Sequence, residues 1–396
     1  MIGEVEEDIL MDESALSAEA RERLAQIGHA DILVGVPSHR NGRTIGEVVR
    51  AIKEGIAQDL SQYKVVFMNA DGGSSDNTVR RVNEVAMPPN VEKFLVTYQG
   101  PTGKGTAIHA ILEAAATLQV RACVVVEARA PGIAPEWVSL LAEPVLAGEA
   151  QVAMAYYQRS AYAASLVDNL IFPFFHTFLR TDLRDPVASE FCLSGEVARD
   201  LACCDVWETE VARFGFNVWM ATQALVQEWP LVQVNLGYRG DPSGEPGALL
   251  DARFLHTVGT MFRFLSVHRE FWLAERPFLR VPKRGLEFVE KDISSPECLS
   301  SLASALWEGK KRSFAEWEKI FSPEPLAELL ETVTHFEERG FPISLWASLV
   351  MEAALIYNQG EGDPDKVVEA LLPIFHGRTA AYLAETRGMS PREREK

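Results

Sequence analysis

The chain has 396 residues, 47% of them hydrophobic and 24% charged, a globular composition with enough mass for two to three domains or one large α/β domain with an appendage. A formal charge of −18 argues against non-specific attraction to nucleic acid or to an anionic membrane, yet it leaves room for a local basic pocket. The five cysteines, Cys123, Cys192, Cys203, Cys204 and Cys298, show neither metal-ligand spacing nor the even count of a disulfide framework, which fits a reducing cytoplasm.

Residues 1–30 read as an acidic, Ala-rich extension with a short amphipathic helix at 18–27. Its opening acids Glu4, Glu6, Glu7 and Asp8 leave no apolar segment of the kind that marks a secretory signal. An apolar strand at 31–36 then ends in Pro37-Ser38-His39-Arg40-Asn41-Gly42-Arg43, after which Thr44 can cap a helix reaching about Gln58. A second strand at 64–68 runs into Asn69-Ala70-Asp71-Gly72-Gly73-Ser74-Ser75-Asp76, a turn composition leading to another helix. A third strand is expected at 91–98, followed by Gly103-Lys104-Gly105 and a helix at 107–118. The fourth, 120–126, carries three consecutive valines into Glu127, Arg129 and a Pro131-Gly132 break. Repeated strand–loop–helix units predict a doubly wound, mostly parallel sheet whose loops converge on one edge.

Beyond it the pattern gives a helix at 138–147, a strand at 151–157, an aromatic-rich helix near 166–180, a loop at 184–194, a helix near 208–226 and a Gly/Pro loop at 237–247. A long helix at 248–275 and a Pro/Lys/Arg boundary at 277–285 precede helical runs at 299–310, 325–339, 345–358 and 366–386. The resulting division is 1–30 as the extension, 31–275 as the α/β domain and 286–396 as a helical region. The most apolar run, 166–179, carries Asp168, Pro173 and His176 and is too short to span a bilayer. A cytoplasmic protein without a membrane span or a nucleic-acid partner is therefore expected.

Ligand crevices of open α/β sheets lie outside the carboxyl ends of the strands, so the charged residues at those ends are the candidates. The carboxylates of 71–76 suit a nucleotide base or ribose, although such a stretch is also an ordinary polar turn. Gly103-Lys104-Gly105 offers backbone N–H groups and one ammonium to an anion. Glu127 and Arg129 could be a simple ion pair, but a buried valine strand seldom delivers two charges to its end without a partner. His109, His176, His256 and His268 read as packed or surface residues.

The order of these loops resembles the nucleotide-sugar-binding GT-A glycosyltransferases, nearest the retaining branch that makes mannosylglycerate and glucosyl-3-phosphoglycerate. The matching stretches are Gly35-Val36-Pro37-Ser38 with Thr44-Ile45, Asp71-Gly72-Gly73-Ser74-Ser75-Asp76, Gly103-Lys104-Gly105, Ile133-Ala134-Pro135-Glu136-Trp137, Arg213-Phe214-Gly215-Phe216 and Leu372-Pro373-Ile374-Phe375-His376-Gly377-Arg378-Thr379. The resemblance implies a nucleotide diphosphate sugar over the first four strands, with Pro37, Ser38 and Asp71 at base and ribose and Lys104 beside the nucleotide. It also implies a loop at 184–190 shaping the sugar and acceptor site, and a small-molecule donor and acceptor as partners, with a homodimer left open.

A divalent Mg2+ or Mn2+ bridges the diphosphate in that family, and here the chain departs from it. The metal-binding Asp-x-Asp is Glu127-Ala128-Arg129, the acid of the acceptor loop is Glu190 within Ala188-Ser189-Glu190, and the acid after the Arg-Phe-Gly-Phe stretch is Asn217. Asp241 stands where a metal-ligating His is expected. Arg129, Glu190 and Asn217 are the resulting catalytic candidates. Three accounts remain open: Arg129 supplies the positive charge of the metal, Glu127 and Asp241 hold a weakened metal, or turnover is lost and a nucleotide-sugar-binding protein remains.

Overall fold

The uninterrupted apolar runs at 32–36, 65–68 and 122–125 become strands covered on both faces, as runs without polar alternation require. The computed structural model describes residues 14–240, 246–287, 299–360 and 362–394. Within these, one sheet contains β1 (Ile32–Ser38), β2 (Val65–Asp71), β3 (Val91–Thr97), β4 (Ala122–Val125), β5 (Val152–Gln158), β6 (Phe191–Ser194), β7 (Leu231–Tyr238) and β8 (Lys283–Gly285). Their order is β3-β2-β1-β4-β6-β5-β7-β8. β1 is parallel to β2 and β4, β2 to β3, and β7 to β8, while β6 runs antiparallel to β4 and β5. The expected α/β class with a mostly parallel sheet is what forms.

Three of these strands lie where the sequence reading has none. β6 falls in the segment read as a loop at 184–194, and four residues are too few to show a period. In β7 the apolar run is interrupted by Gln233 and Asn235, each 1% exposed, so burial there does not follow polarity. β8 is the exposed Lys283-Arg284-Gly285, an edge strand with no apolar signature, inside the stretch read as a boundary. The helix expected near 208–226 begins only at Phe216, after a 3-10 turn at Glu210–Ala212. The long helix expected at 248–275 breaks at His268 into Pro246–Val267 and Arg269–Leu273.

The chain divides into two units. The first comprises Met1–Tyr157, Asp185–Pro242 and Arg280–Glu287, the second Gln158–Arg184, Ser243–Leu279 and Phe288–Lys396. Residues 158–184 and 243–279 thus cluster with the C-terminal helices rather than with the sheet. The core of the first unit joins Val34, Phe67 and Val124 of the sheet to Ile52 of the helix Ile45–Asp59 and to Trp137 and Leu141 of the helix Glu136–Leu146. Thr44 precedes the helix Ile45–Asp59 as expected, but its hydroxyl makes no cap bond and donates instead to Ala128 O at 2.8 Å.

The helix Ala18–Ile27 is capped by Ser17, whose hydroxyl accepts from Ala20 N. Just before it, Ser14 Oγ donates to Glu113 Oε2 at 3.1 Å on the helix Lys104–Thr117. Burial pushes the Glu113 carboxyl up to about 7 despite that hydrogen bond. The folded state therefore holds this proton more tightly than the unfolded chain, and stability falls as pH rises from about 4.5 to about 7, by an amount on the order of 3 kcal/mol at most. Glu113→Gln removes this loss: urea unfolding at pH 5 and pH 8 should show the variant gaining on the wild type as pH rises.

In the second unit a π-helical turn at Val167–Ile171 interrupts the helical stretch between Ala161 and Phe178. Its Asp168 accepts from Arg184 and from the Tyr382 hydroxyl. The next residue, Asn169, receives Trp346 Nε1 on its carbonyl at 2.7 Å and Arg378 Nε on Oδ1 at 3.0 Å. Arg378 is only 1% exposed and also reaches Phe341 O and Glu385. This residue of the stretch 372–379 is thus a buried cross-brace of the helical unit. Among the described residues no helix is long and apolar enough to cross a membrane.

Candidate functional site

The sheet order turns at β1. The chain runs outward from β1 to β2 and β3, then returns to lay β4 on the other side of β1. The helices that follow β1 and β4, Ile45–Asp59 and Glu136–Leu146, pack together in one core; the reversal of strand order at β1 is the place where open α/β sheets take ligands, outside the carboxyl ends of the strands. β1 pairs with β4 only from Ile32↔Ala122 to Gly35↔Val125, whereas its pairing with β2 continues to Ser38↔Asp71. Val36, Pro37 and Ser38 therefore extend past the last β4 partner at this edge, and Pro37 has no N–H to leave unpaired.

Two loops close this edge. Ser38 Oγ and Ser74 Oγ each donate to Asp71 Oδ1 at 2.7 Å, and Ser74 N donates to Oδ2 at 2.7 Å. Asn69 Nδ2 donates to Val36 O and to Ser38 Oγ, both at 2.9 Å. The β1 loop returns Arg40 N to Ser74 Oγ at 2.8 Å and Gly42 N to Asp76 Oδ2 at 3.0 Å. The Thr78 hydroxyl holds Asp76 below the usual carboxylate range. Asp71, 2% exposed, thus spends three of a carboxylate's roughly four lone-pair positions on holding the loops together.

The charged cluster lies around the end of β4. Because β6 runs antiparallel to β4 and β5, its first residue Phe191 meets Val125 at the end of β4 and Met154 in the middle of β5, so Glu190, just before β6, comes to the same edge as Glu127 and within reach of Tyr157 further along β5. Arg239 follows β7 and enters between them. Its Nη2 donates to Glu127 Oε2 at 2.6 Å and to Arg129 O at 3.4 Å, while Nη1 donates to Glu190. The Tyr157 hydroxyl also donates to Glu190, and the guanidinium lies 5.0 Å from the Tyr157 ring centroid. Lys104 Nζ is 3.7 Å from Glu127 Oε1. Glu190 is 0% and Arg239 7% exposed. Burial alone would lower the Arg239 pKa; Glu190, Tyr157 and Glu127 together more than reverse it and hold it above its ordinary value.

The fold thus gathers Glu127, Glu190 and Lys104 in one cluster, and Pro37, Ser38 and Asp71 at the neighbouring strand ends. Asn217 takes another place: buried near the start of the helix Phe216–Val226, its amide donates to Ala188 O and anchors the loop that precedes Glu190. Arg129, half-buried, contributes its carbonyl to Arg239. Asp241 lies outside the described residues. Arg239 and Tyr157 are absent from the sequence-based candidates. Tyr157 carries the same signal as Glu127, a polar group at the end of a recognised strand, whereas Arg239 follows β7, whose polar interruptions hide it.

The reading of Gly103-Lys104-Gly105 as an anion cradle needs correction. The Gly105 N–H donates to Arg213 O at 2.9 Å and the Gly103 N–H to the Tyr98 hydroxyl at 3.2 Å. These glycines serve close approach instead: a Cβ on Gly103 would stand 2.2 Å from Ala212 O, and one on Gly105 1.9 Å from Val211 O. The Lys104 ammonium remains as this stretch's contribution to the cluster.

The described residues do not fit a divalent metal. Glu127 and Glu190 are both held by one guanidinium, and no group of three His, Cys, Asp or Glu side chains among the described residues could hold an ion. An ion beside Glu127 would meet Arg239 and Lys104 with a repulsion of about 4 kcal/mol per pair of unit charges at about 4 Å and an effective dielectric near 20.

No family model and no curated protein matches the chain. Among solved structures it is similar to glucosyl-3-phosphoglycerate synthase from Mycobacterium tuberculosis. The complex of that protein with Mn2+, uridine diphosphate and glucosyl-3-phosphoglycerate aligns at 18% identity and a TM-score of 0.47, covering 61% of this chain and 83% of that one. Its complex with Mn2+, uridine diphosphate glucose and phosphoglyceric acid aligns at 19% identity and a TM-score of 0.46, covering 61% and 82%.

Proposed function

We propose that the chain is a glycosyltransferase that moves a sugar, with retention, from a nucleotide diphosphate sugar to a small hydroxy acid such as glycerate or 3-phosphoglycerate, in the cytoplasm. The observation that carries this reading is the set of polar and charged groups at the carboxyl ends of the strands where the order reverses, Ser38 and Asp71 at β1 and β2 and the cluster of Lys104, Glu127 and Glu190 beside β4. That edge of a parallel sheet is where such folds receive nucleotides, and the strand-end motifs of the sequence belong to the same reading. Pro37, Ser38 and Asp71 take base and ribose, Lys104 and Arg129 the diphosphate side, and Glu190, with the loop that Asn217 anchors, the sugar and acceptor.

The test incubates a panel of nucleotide sugars with glycerate and 3-phosphoglycerate and reads product by mass and its anomeric configuration by NMR. Product with retained anomeric configuration supports the transferase. Nucleotide binding without product supports a second reading, a nucleotide-sugar-binding protein without turnover, which is favoured by the engagement of both site carboxylates with one buried guanidinium.

Binding itself has a separate readout. A ligand at a hundredfold excess over its Kd stabilises the native state by about 2.7 kcal/mol, so uridine or guanosine diphosphate should raise the melting temperature by roughly 5–10 °C. Lys104→Ala should reduce that shift. No shift with either diphosphate at millimolar concentration sinks both readings.

A further inference from the structure

We propose that Arg239 is the built-in cation of this cluster, neutralising Glu127 and Glu190 in the place a divalent metal would take, so that the site receives a polyanion without a metal. For the polyanion this rests on the nucleotide reading above; for the absence of a metal site it rests on the cluster alone.

One guanidinium joins two acids from separate parts of the sheet, Glu127 after β4 and Glu190 before β6. Its planar fork presents a separate nitrogen to each acid in a fixed geometry, which the single nitrogen of an ammonium does not. With Lys104 beside Glu127, the four side chains sum to zero charge, and an arriving diphosphate meets carboxylates that already have cationic partners. A metal, by contrast, could use these acids only by displacing a buried guanidinium. Glu190 Oε1 is buried without a hydrogen-bond partner, so removal of the guanidinium would leave that oxygen and the Glu127 carboxylate to share a cation. The prediction is therefore a gain of metal binding when a positive residue is deleted.

Mn2+ is titrated, without nucleotide, into the wild type, Arg239→Ala, Glu127→Gln and the double variant, and free Mn2+ is followed by electron paramagnetic resonance. The wild type should leave Mn2+ free at about 100 μM, Arg239→Ala should bind it at least about tenfold more tightly, and the double variant should lose the gain, as expected when like charge is removed from beside two carboxylates. A wild-type site abolished by Glu127→Gln overturns the proposal, as does a folded Arg239→Ala that gains nothing. If Arg239→Ala does not fold, the wild type and Glu127→Gln decide: absence of Glu127-dependent Mn2+ binding upholds the proposal, and its presence overturns it. Calorimetry with uridine and guanosine diphosphate then compares chelator with Mg2+. Equal affinity in the two upholds metal-free reception and dependence on Mg2+ overturns it; no binding in either sinks the nucleotide reading, while the Mn2+ titration still decides the role of Arg239.

Discussion

Glu190→Ala should lower the unfolding free energy by about 3–5 kcal/mol, the cost of leaving a buried charge without one of its partners. Arg239 is 7% exposed, so water cannot replace the lost carboxylate, and the Tyr157 hydroxyl loses its acceptor at the same time. For a unit of this size the loss corresponds to a melting temperature lower by roughly 10 °C. Removing both charges is a different perturbation: Glu190→Leu with Arg239→Met leaves Glu127 with Lys104 as its cationic partner and should recover part of the difference. Thermal and urea unfolding of the two proteins provide the comparison. A fall of less than about 1 kcal/mol in Glu190→Ala would mean that solvent reaches the guanidinium and that the cluster is not the closed ion pair described above.

Gly105→Ala is the second large effect. The added Cβ would stand 1.9 Å from Val211 O and 2.6 Å from Ala212 C, both backbone atoms that no side-chain rotation can move. Overpacking a close contact costs about 1–3 kcal/mol and more when backbone must shift, so a loss of at least about 3 kcal/mol is expected. The shift should also disturb the 2.9 Å bond from Gly105 N to Arg213 O and displace Lys104, which sits between the two glycines, from Glu127. Lys104→Ala is the matched control, removing the ammonium without touching this packing; because Glu127 keeps Arg239, it should cost clearly less than Gly105→Ala. Gly105→Ala as stable as the wild type would show that the 3-10 turn at 210–212 can move away freely.

The sequence by itself determined the parallel half of the sheet and one side of the site. Val65-Val66-Phe67-Met68 and Cys123-Val124-Val125-Val126 are apolar without alternation, a pattern that burial on both faces produces, and the residues at their ends, Asp71 and Glu127, follow from the strand assignment alone. What it could not show is which charges meet. The antiparallel β6 is four residues long, and β7 is interrupted by buried Gln233 and Asn235, so no periodicity announces the strands that carry Glu190 and Arg239 to the end of β4. Cys123 and Cys192 show the same limit: they lie on the neighbouring strands β4 and β6, both fully buried, and burial pushes the Cys123 thiol up to about 12. Arg129 is two residues from Glu127 and Arg239 is 112 away along the chain, yet it is Arg239 whose guanidinium meets Glu127 at 2.6 Å. Local sequence carries the alternation and turn chemistry of each segment; the pairing of distant charges depends on sheet order and strand direction, which only the tertiary structure decides.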